Sequence, residues 1–233
     1  MDDERSKLGE LLEALTPGGV PMRTATAFAV DEATWFLRAI DAGLVRFREC
    51  PSDCFRFRKY RLPGPDHFET PAGKPRHMFS KPGDEMAWLH REYVPHIGAF
   101  GFAILNVGYD STRSSFSLYR KFARDLVTKR AGQSYETDAE FYGSDGSIHL
   151  QIEAKASPSQ TERLAAAIRQ HGELDGLPGH AVKEIEYVLD LEPNFLWVVG
   201  PGTLDPARHV YAVEVVGKNA KFTPVPALPA PAA

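Results

Sequence analysis

Cysteine is scarce in this sequence: Cys50 and Cys54 are the two in 233 residues. Two thiols cannot form the framework of a disulfide-rich secreted domain, so an intracellular, reducing setting fits better. Long apolar runs are missing as well. None approaches the roughly 20 residues needed to span a bilayer, and the opening "MDDERSKLGELLEAL" is charged and amphipathic, without the apolar centre of a signal peptide. The expectation is a cytoplasmic protein with no membrane segment. Positive charge is not in excess either: the net charge of -4 argues against a nucleic-acid partner unless basic residues cluster locally. Internal repeats, a G-x-S-x-G elbow, a Walker loop, a dinucleotide fingerprint and H-E-x-x-H are all absent. His90 and His96 lie six apart, not the four that would place two ligands on one helix face.

What is present suffices for one good core or two small ones, with 43% hydrophobic and 25% charged residues. Residues 1–62 read as a unit of their own. "RSKLGELLEAL" has helical apolar spacing, and "DEATWFLRAIDAG" runs from a cap at Asp31 to Gly43. A hairpin follows in "LVRFRECPSDCFRFRKYRL", where a loop at Pro51-Ser52-Asp53 sets Arg48 opposite Arg56 and Arg46 opposite Arg58. Four arginines on one face fit either a polyanionic partner or a solvated surface, and helix followed by basic hairpin is the order of a winged-helix DNA-binding unit. Cys50, Cys54, His67 and His77 also allow a tetrahedral zinc site or an ordinary pair of reduced thiols.

Residues 63–83 are rich in Pro and Gly and read as a linker. The spacing then predicts a helix in "DEMAWLHREYVPHIG", a buried strand in "AFGFAILNVG", and a basic amphipathic helix over 115–131 that carries Lys121 and Arg124. "SPSQTERLAAAIRQHG" has a capping box, with Ser157 as N-cap, Pro158 at the first position and Gln160 as the reciprocal partner. "FLWVVGPG" and "HVYAVEVVG" read as strands, and residues 218–233 as a disordered Pro/Ala tail.

Residues 135–157, "YETDAEFYGSDGSIHLQIEAKAS", carry the chemistry. A two-residue turn at Asp145-Gly146 sets Asp138 across from Glu153, Glu136 from Lys155, Glu140 from Gln151 and Tyr142 from His149. One face is then wholly polar. The other carries Ala139, Phe141, Ile148, Leu150, Ile152 and Ala154, a set fit for burial. Opposed carboxylates repel unless something positive lies between them, and a hard divalent cation does this well. Lys155 could orient or help deprotonate a metal-bound water, or stabilise charge on a phosphate. An exposed hairpin with a Glu136–Lys155 ion pair is the alternative.

Asp138, a hairpin, Glu153-Ala154-Lys155 and a following helix together resemble the PD-(D/E)XK nuclease superfamily, over roughly residues 84 to 216. The resemblance implies an α/β (α+β) fold: a restriction-endonuclease-like αβα core with a mixed sheet at 84–217, behind the winged-helix-like unit. It implies Mg²⁺ or Mn²⁺ held by Asp138 and Glu153, with Lys155 completing the catalytic set and Glu136, Glu140 and Gln160 as auxiliaries. Hydrolysis of DNA phosphodiester bonds follows, with Arg46, Arg48, Arg56, Arg58, Lys121 and Arg124 on the nucleic acid. A non-enzymatic DNA-binding protein with the same fold is the competing expectation, and double-strand cutting would call for a homodimer. Thr137 stands where the family has Pro. The carboxylate that many members take from the first core helix is not offered as a Glu by 115–131. Asp125 is the substitute there, and Glu85 or Glu92 serves if the earlier helix is the core one.

Overall fold

The computed structural model describes residues 3–16, 19–48, 67–69, 76–80 and 86–232. Along the chain these form α1 (Asp3–Ala14), β1 (Met22–Arg23), α2 (Val30–Asp41), β2 (Arg46–Arg48), β3 (His67–Glu69), β4 (Arg76–His77), β5 (Phe79–Ser80) and β6 (Ala87–Leu89). There follow α3 (Tyr93–Phe102), β7 (Ser114–Lys121), β8 (Ser134–Tyr142), β9 (Ile148–Ala154), α4 (Pro158–His171), α5 (Gly179–Ile185), α6 (Tyr187–Leu191), β10 (Phe195–Val199), β11 (Val210–Val216) and β12 (Asn219–Val225).

A six-stranded mixed sheet in the order β12-β11-β10-β9-β8-β7 divides the molecule. β7, β8 and β9 run antiparallel in sequence, β10 lies parallel to β9, and β11 and β12 return antiparallel. Two-residue alternation sorts the side chains onto two buried faces. Ala139, Phe141, Leu150, Ile152, Ala154, Trp197 and Val199 pack with α1, α2 and α3. Leu196 and Val198, in register with Gln151 and Glu153, pack on the opposite side with α4, α5 and α6. The apolar set read from the hairpin is therefore buried as expected, and helices cover both faces.

The register of β8 with β9 follows the expectation at Ala139–Ile152, Glu140–Gln151 and Phe141–Leu150. At the tip it slips by one, and Tyr142 faces Ile148 rather than His149. The turn is longer than the expected two residues: the Gly143 amide donates to Ser147 O at 2.8 Å and the Gly146 amide to Gly143 O at 3.1 Å. Gly146 has φ of 80°, which glycine takes without strain.

Two expected elements exchange their types. Residues 84–97 do not form one helix: β6 precedes α3, and the helix runs on through the apolar stretch, ending in a π-helical turn at Ala103–Val107. An apolar run of this length looks like a buried strand because the helix is buried nearly all round, with every residue from Val94 to Phe102 buried. Residues 114–121 are the edge strand β7, not the start of a basic helix. Their apolar residues fit a period of two as well as one of 3.6, and pairing with β8 decides the matter.

Three further expectations are corrected. β12 occupies part of the supposed disordered tail, because its alternation buries Ala220 and Phe222 against the sheet. Strands β3, β4 and β5 occupy part of the supposed linker 63–83, where the apolar Met78 and Phe79 are fully buried. Helices α1 and α2 share one core with the sheet rather than closing a separate unit. The return strand of the basic hairpin, with Cys50, Cys54, Arg56 and Arg58, lies outside the described residues. β2 itself pairs with β3. Among the described residues no helix is long and apolar enough to cross a membrane.

Close packing of α3 on α2 sets the position of the α3 N-terminus. A Cβ built on Gly101 would stand 2.8 Å from Ala39 Cβ and 3.0 Å from Trp35 O, so the helices meet where glycine admits them. Arg91, just ahead of α3, is buried; it donates to Ala27 O at 3.1 Å and to Glu32 on α2. Glu92 follows immediately in a fixed place.

Candidate functional site

Pairing between β8 and β9 stops at Ala139–Ile152, and the strand ends part beyond it. The Ala154 amide donates to Asp138 Oδ2 at 2.6 Å, so a side chain serves the next backbone donor. Glu153 and Lys155 lie at this end of β9. The Lys155 ammonium donates to Glu153 Oε1 and to Glu184 Oε2 on α5, and the Tyr187 hydroxyl on α6 donates to Glu153 Oε2. The side chains of Glu153 and Lys155 are 8% and 11% exposed, against 43% for Glu184. Asp138, Glu153 and Lys155 thus lie near one another, recessed rather than spread on an open hairpin face, but the expected pairs Asp138–Glu153 and Glu136–Lys155 fall beyond the last rung of the ladder.

Two adjoining cavities open here. One of about 240 Å³ is lined by Glu92, Lys155, Gln160, Arg163, His180 and Glu184, among others. The second, about 520 Å³, includes Glu92, Tyr93, His96, Glu136 and Asp138. Glu92 and Ala156 line both, so the two cavities adjoin, and Glu153 lines neither. Glu92, one of the carboxylates offered ahead of 115–131, stands at the N-cap of α3. The substitute Asp125 instead accepts the Ala131 amide at 3.0 Å, and Glu85 lies outside the described residues.

The electrostatics follow from burial and crowding. Burial, then Glu153 and Glu92, raise the pKa of Asp138 well above the carboxylate range. Burial pushes Glu153 up to about 7; Lys155 opposes the rise, and Glu92 and Glu184 add to it. Glu92 keeps an exposed flank, yet burial around its carboxyl and the charges of Glu184 and Glu136 raise it against the pull of Lys155. Burial alone would lower Lys155, but Glu153 and Glu184 outweigh it and the ammonium holds its proton more tightly than usual. His96 is fully buried and held down to about 3, hence neutral. It stacks on Phe116 at 3.7 Å between ring centroids, and its Nδ1 lies 4.0 Å from Asp138 Oδ1.

The auxiliary residues divide. Glu136 lines the larger cavity but accepts from Arg76 Nε at 3.0 Å, and its expected partner Lys155 is taken by Glu153 and Glu184. Glu140 is drawn out of the site: fully buried, it accepts from Arg120 at 3.0 and 2.6 Å, from the Tyr142 hydroxyl at 2.5 Å and from Ser115 Oγ at 3.2 Å. Gln160 lines the smaller cavity; its backbone amide donates to Ser157 Oγ at 3.4 Å, and its side-chain Oε1 accepts from the Ser157 hydroxyl at 3.2 Å rather than from the Ser157 backbone.

Of the basic residues, Arg124 is occupied with Leu189 O and with Glu192 at 2.9 Å, and Lys121 is exposed at the end of β7; neither lines the cleft. Arg46 is exposed on β2, and Arg48 is described there by its backbone alone. His67 and His77 face each other across β3 and β4, while their cysteine partners for zinc fall outside the described residues.

Glu184, Tyr187 and His96 form no sequence pattern with Glu153. The faint signal for Glu92 was an acidic residue directly before a long apolar run. No protein-family model, no curated protein and no solved structure matches this chain.

Among the described residues no three His, Cys, Asp or Glu side chains converge as a ready cation cage, and Lys155 supplies the positive charge. The donor set nevertheless suits a hard divalent cation. Asp138, Glu153 and Glu92 are oxygen donors whose ionised forms are disfavoured by burial and by one another, and a cation would relieve both penalties.

Proposed function

We propose that this chain is a metal-dependent nuclease that hydrolyses DNA phosphodiester bonds, built on a restriction-endonuclease-like core. The observation that carries the reading is the gathering of Glu92 at the N-cap of α3, Asp138 on β8, Glu153 on β9 and Lys155 just past it. The element order supports it: helix α3, three antiparallel strands β7, β8 and β9, helix α4, then β10 parallel to β9. Glu92, which the resemblance offers if the earlier helix is the core one, supports it further from the N-cap of α3. DNA as the substrate and a second copy for double-strand cutting belong to the same proposal.

In this reading Asp138, Glu153 and Glu92 would hold Mg²⁺ or Mn²⁺. The bound ion would lower the pKa of a coordinated water and offset charge on the phosphate. Lys155 acts as a cation and hydrogen-bond donor toward a phosphate oxygen, not as a base, since its carboxylate neighbours hold its proton. Tyr187 fixes the Glu153 carboxylate through Oε2. The recessed position of Glu153 and Lys155 limits access of bulk water.

The test is cleavage of plasmid and single-stranded DNA with Mg²⁺ or Mn²⁺, with EDTA, and with Glu153→Ala. Metal-dependent cleavage that the variant loses is expected. Equal cleavage by the variant overturns the assignment. The competing reading, a DNA-binding protein without cleavage, draws on the Lys155 ion pairs, which engage the ammonium with two carboxylates. Tight, salt-sensitive binding with no cleavage under any divalent ion would favour it.

A further inference from the structure

Lys155 has carboxylate partners on two elements. One is Glu153 on β9, two residues before it; the other, Glu184, comes from α5 and belongs to no pattern in the hairpin. We infer that Glu184 is a positioning residue, which receives the Lys155 ammonium when a divalent cation takes the Glu153 carboxylate. The inference rests on the reading of Glu92, Asp138 and Glu153 as cation ligands.

Lysine and cation compete for one carboxylate. The ammonium sits on Glu153 Oε1, and a divalent cation on that carboxylate repels it, so it must move. Glu153 does not follow, because the Tyr187 hydroxyl holds Oε2 and the side chain is only 8% exposed. An ammonium displaced within so enclosed a setting needs a counter-charge. Glu184 already provides one, and the cavity that it shares with Lys155, about 240 Å³, leaves room for the side chain to swing toward it. Tyr187 is itself held, stacking parallel to Tyr135 at 6.1 Å, and the Tyr135 hydroxyl donates to Asp190 at 2.8 Å. The moving part is the lysine.

The experiment is calorimetric titration of the full chain with Mn²⁺ alone, using wild type, Glu184→Gln, Lys155→Met and the double variant, each checked by melting. Lys155→Gln is the polar counterpart should Lys155→Met fail to fold. Glu184→Gln leaves the lysine on Glu153 and weakens Mn²⁺ binding by about five- to tenfold. Lys155→Met tightens it. In the Lys155→Met background the Glu184 substitution has little further effect, within about twofold, because its partner is gone. Equal affinity of Glu184→Gln and wild type overturns the inference. The same fold-loss in both backgrounds also overturns it, since Glu184 would then act directly on the ion. Absence of saturable Mn²⁺ binding by wild type overturns the cation-site reading itself.

Discussion

Asp138 accepts the Ala154 amide at 2.6 Å, beyond the last rung of β8 with β9, so one carboxylate both closes a backbone bond and faces the cleft. The two duties separate by substitution. Asp138→Asn keeps an oxygen acceptor for Ala154 but removes a charge that burial, Glu153 and Glu92 all disfavour. Stability equal to wild type or higher by about 1–2 kcal/mol is expected, together with loss of cleavage. Asp138→Ala strands the amide as well and gives back about 1–3 kcal/mol. Thermal melting beside a cleavage assay checks both, and a clear drop in melting temperature for the Asn variant would refute the repulsion account.

The raised pKa of Glu153 makes stability depend on pH. Its folded-state value of about 7 lies above the ordinary 4.5, so its contribution is fully present below the ordinary value and is lost as pH rises through about 7. Asp138 is raised too and acts with the same sign. Lys155 is raised from 10.5, and its contribution is constant across this window. Glu140 and Glu162 are lowered and lose their contribution only at acid pH, below the range in question. His96, held down to about 3, and His209, lowered as well, act with the opposite sign over the same window. Metal-free wild type should therefore lose about 2 kcal/mol more stability than Glu153→Gln between pH 5.5 and pH 8. Denaturant unfolding of both proteins at the two pH values measures it, and an equal pH dependence in the two would sink the prediction.

How far the sequence reveals this site follows from which forces are local. The Ser157 cap and the face assignment of residues 139–141 and 150–152 depend on near neighbours and on a period of two, and both are found as expected. The shared polar face of Asp138, Glu153 and Lys155 is an expectation of the same kind, whereas their opposition across the ladder is not found, since pairing ends at Ala139–Ile152. Glu92 was one of several candidates, since choosing it required knowing that the apolar run after it is a helix buried between α2 and the sheet. Glu184 and Tyr187 reach Glu153 and Lys155 only through the packing of α5 and α6 on the second face. The sequence offers Glu140 as an auxiliary of the site, two residues along the strand from Asp138. Arg120, which faces Tyr135 across the ladder, reaches Glu140 diagonally and takes it for the core.

Glu140 should therefore matter for stability and not for chemistry. Burial alone would raise its pKa, but the bonds from Arg120 and Tyr142 win and lower it, the mark of a satisfied buried anion. Glu140→Ala leaves Arg120, Tyr142 and Ser115 without their shared acceptor and should cost about 3 kcal/mol. Activity per folded molecule should be unchanged. Unfolding curves together with cleavage rates corrected for the folded fraction decide it, and a specific loss of rate at full folding would return Glu140 to the site.

The same substitution at two helical glycines should have opposite signs. At Gly101 on α3 an added Cβ meets Ala39 Cβ at 2.8 Å and the Trp35 carbonyl at 3.0 Å. A backbone oxygen cannot rotate aside, so α3 must move off α2, and Gly101→Ala should cost about 1–3 kcal/mol. Gly9 lies inside α1 with nothing within 4 Å of its added Cβ. There alanine only removes chain entropy from the unfolded state, and Gly9→Ala should gain about 0.5–1 kcal/mol. Because the α3 N-terminus carries Glu92, Gly101→Ala should also weaken Mn²⁺ binding, whereas Gly9→Ala should leave it unaltered. Melting temperatures and Mn²⁺ titration of the two variants test the link, and equal behaviour of both would show that the α2–α3 contact does not set the position of Glu92.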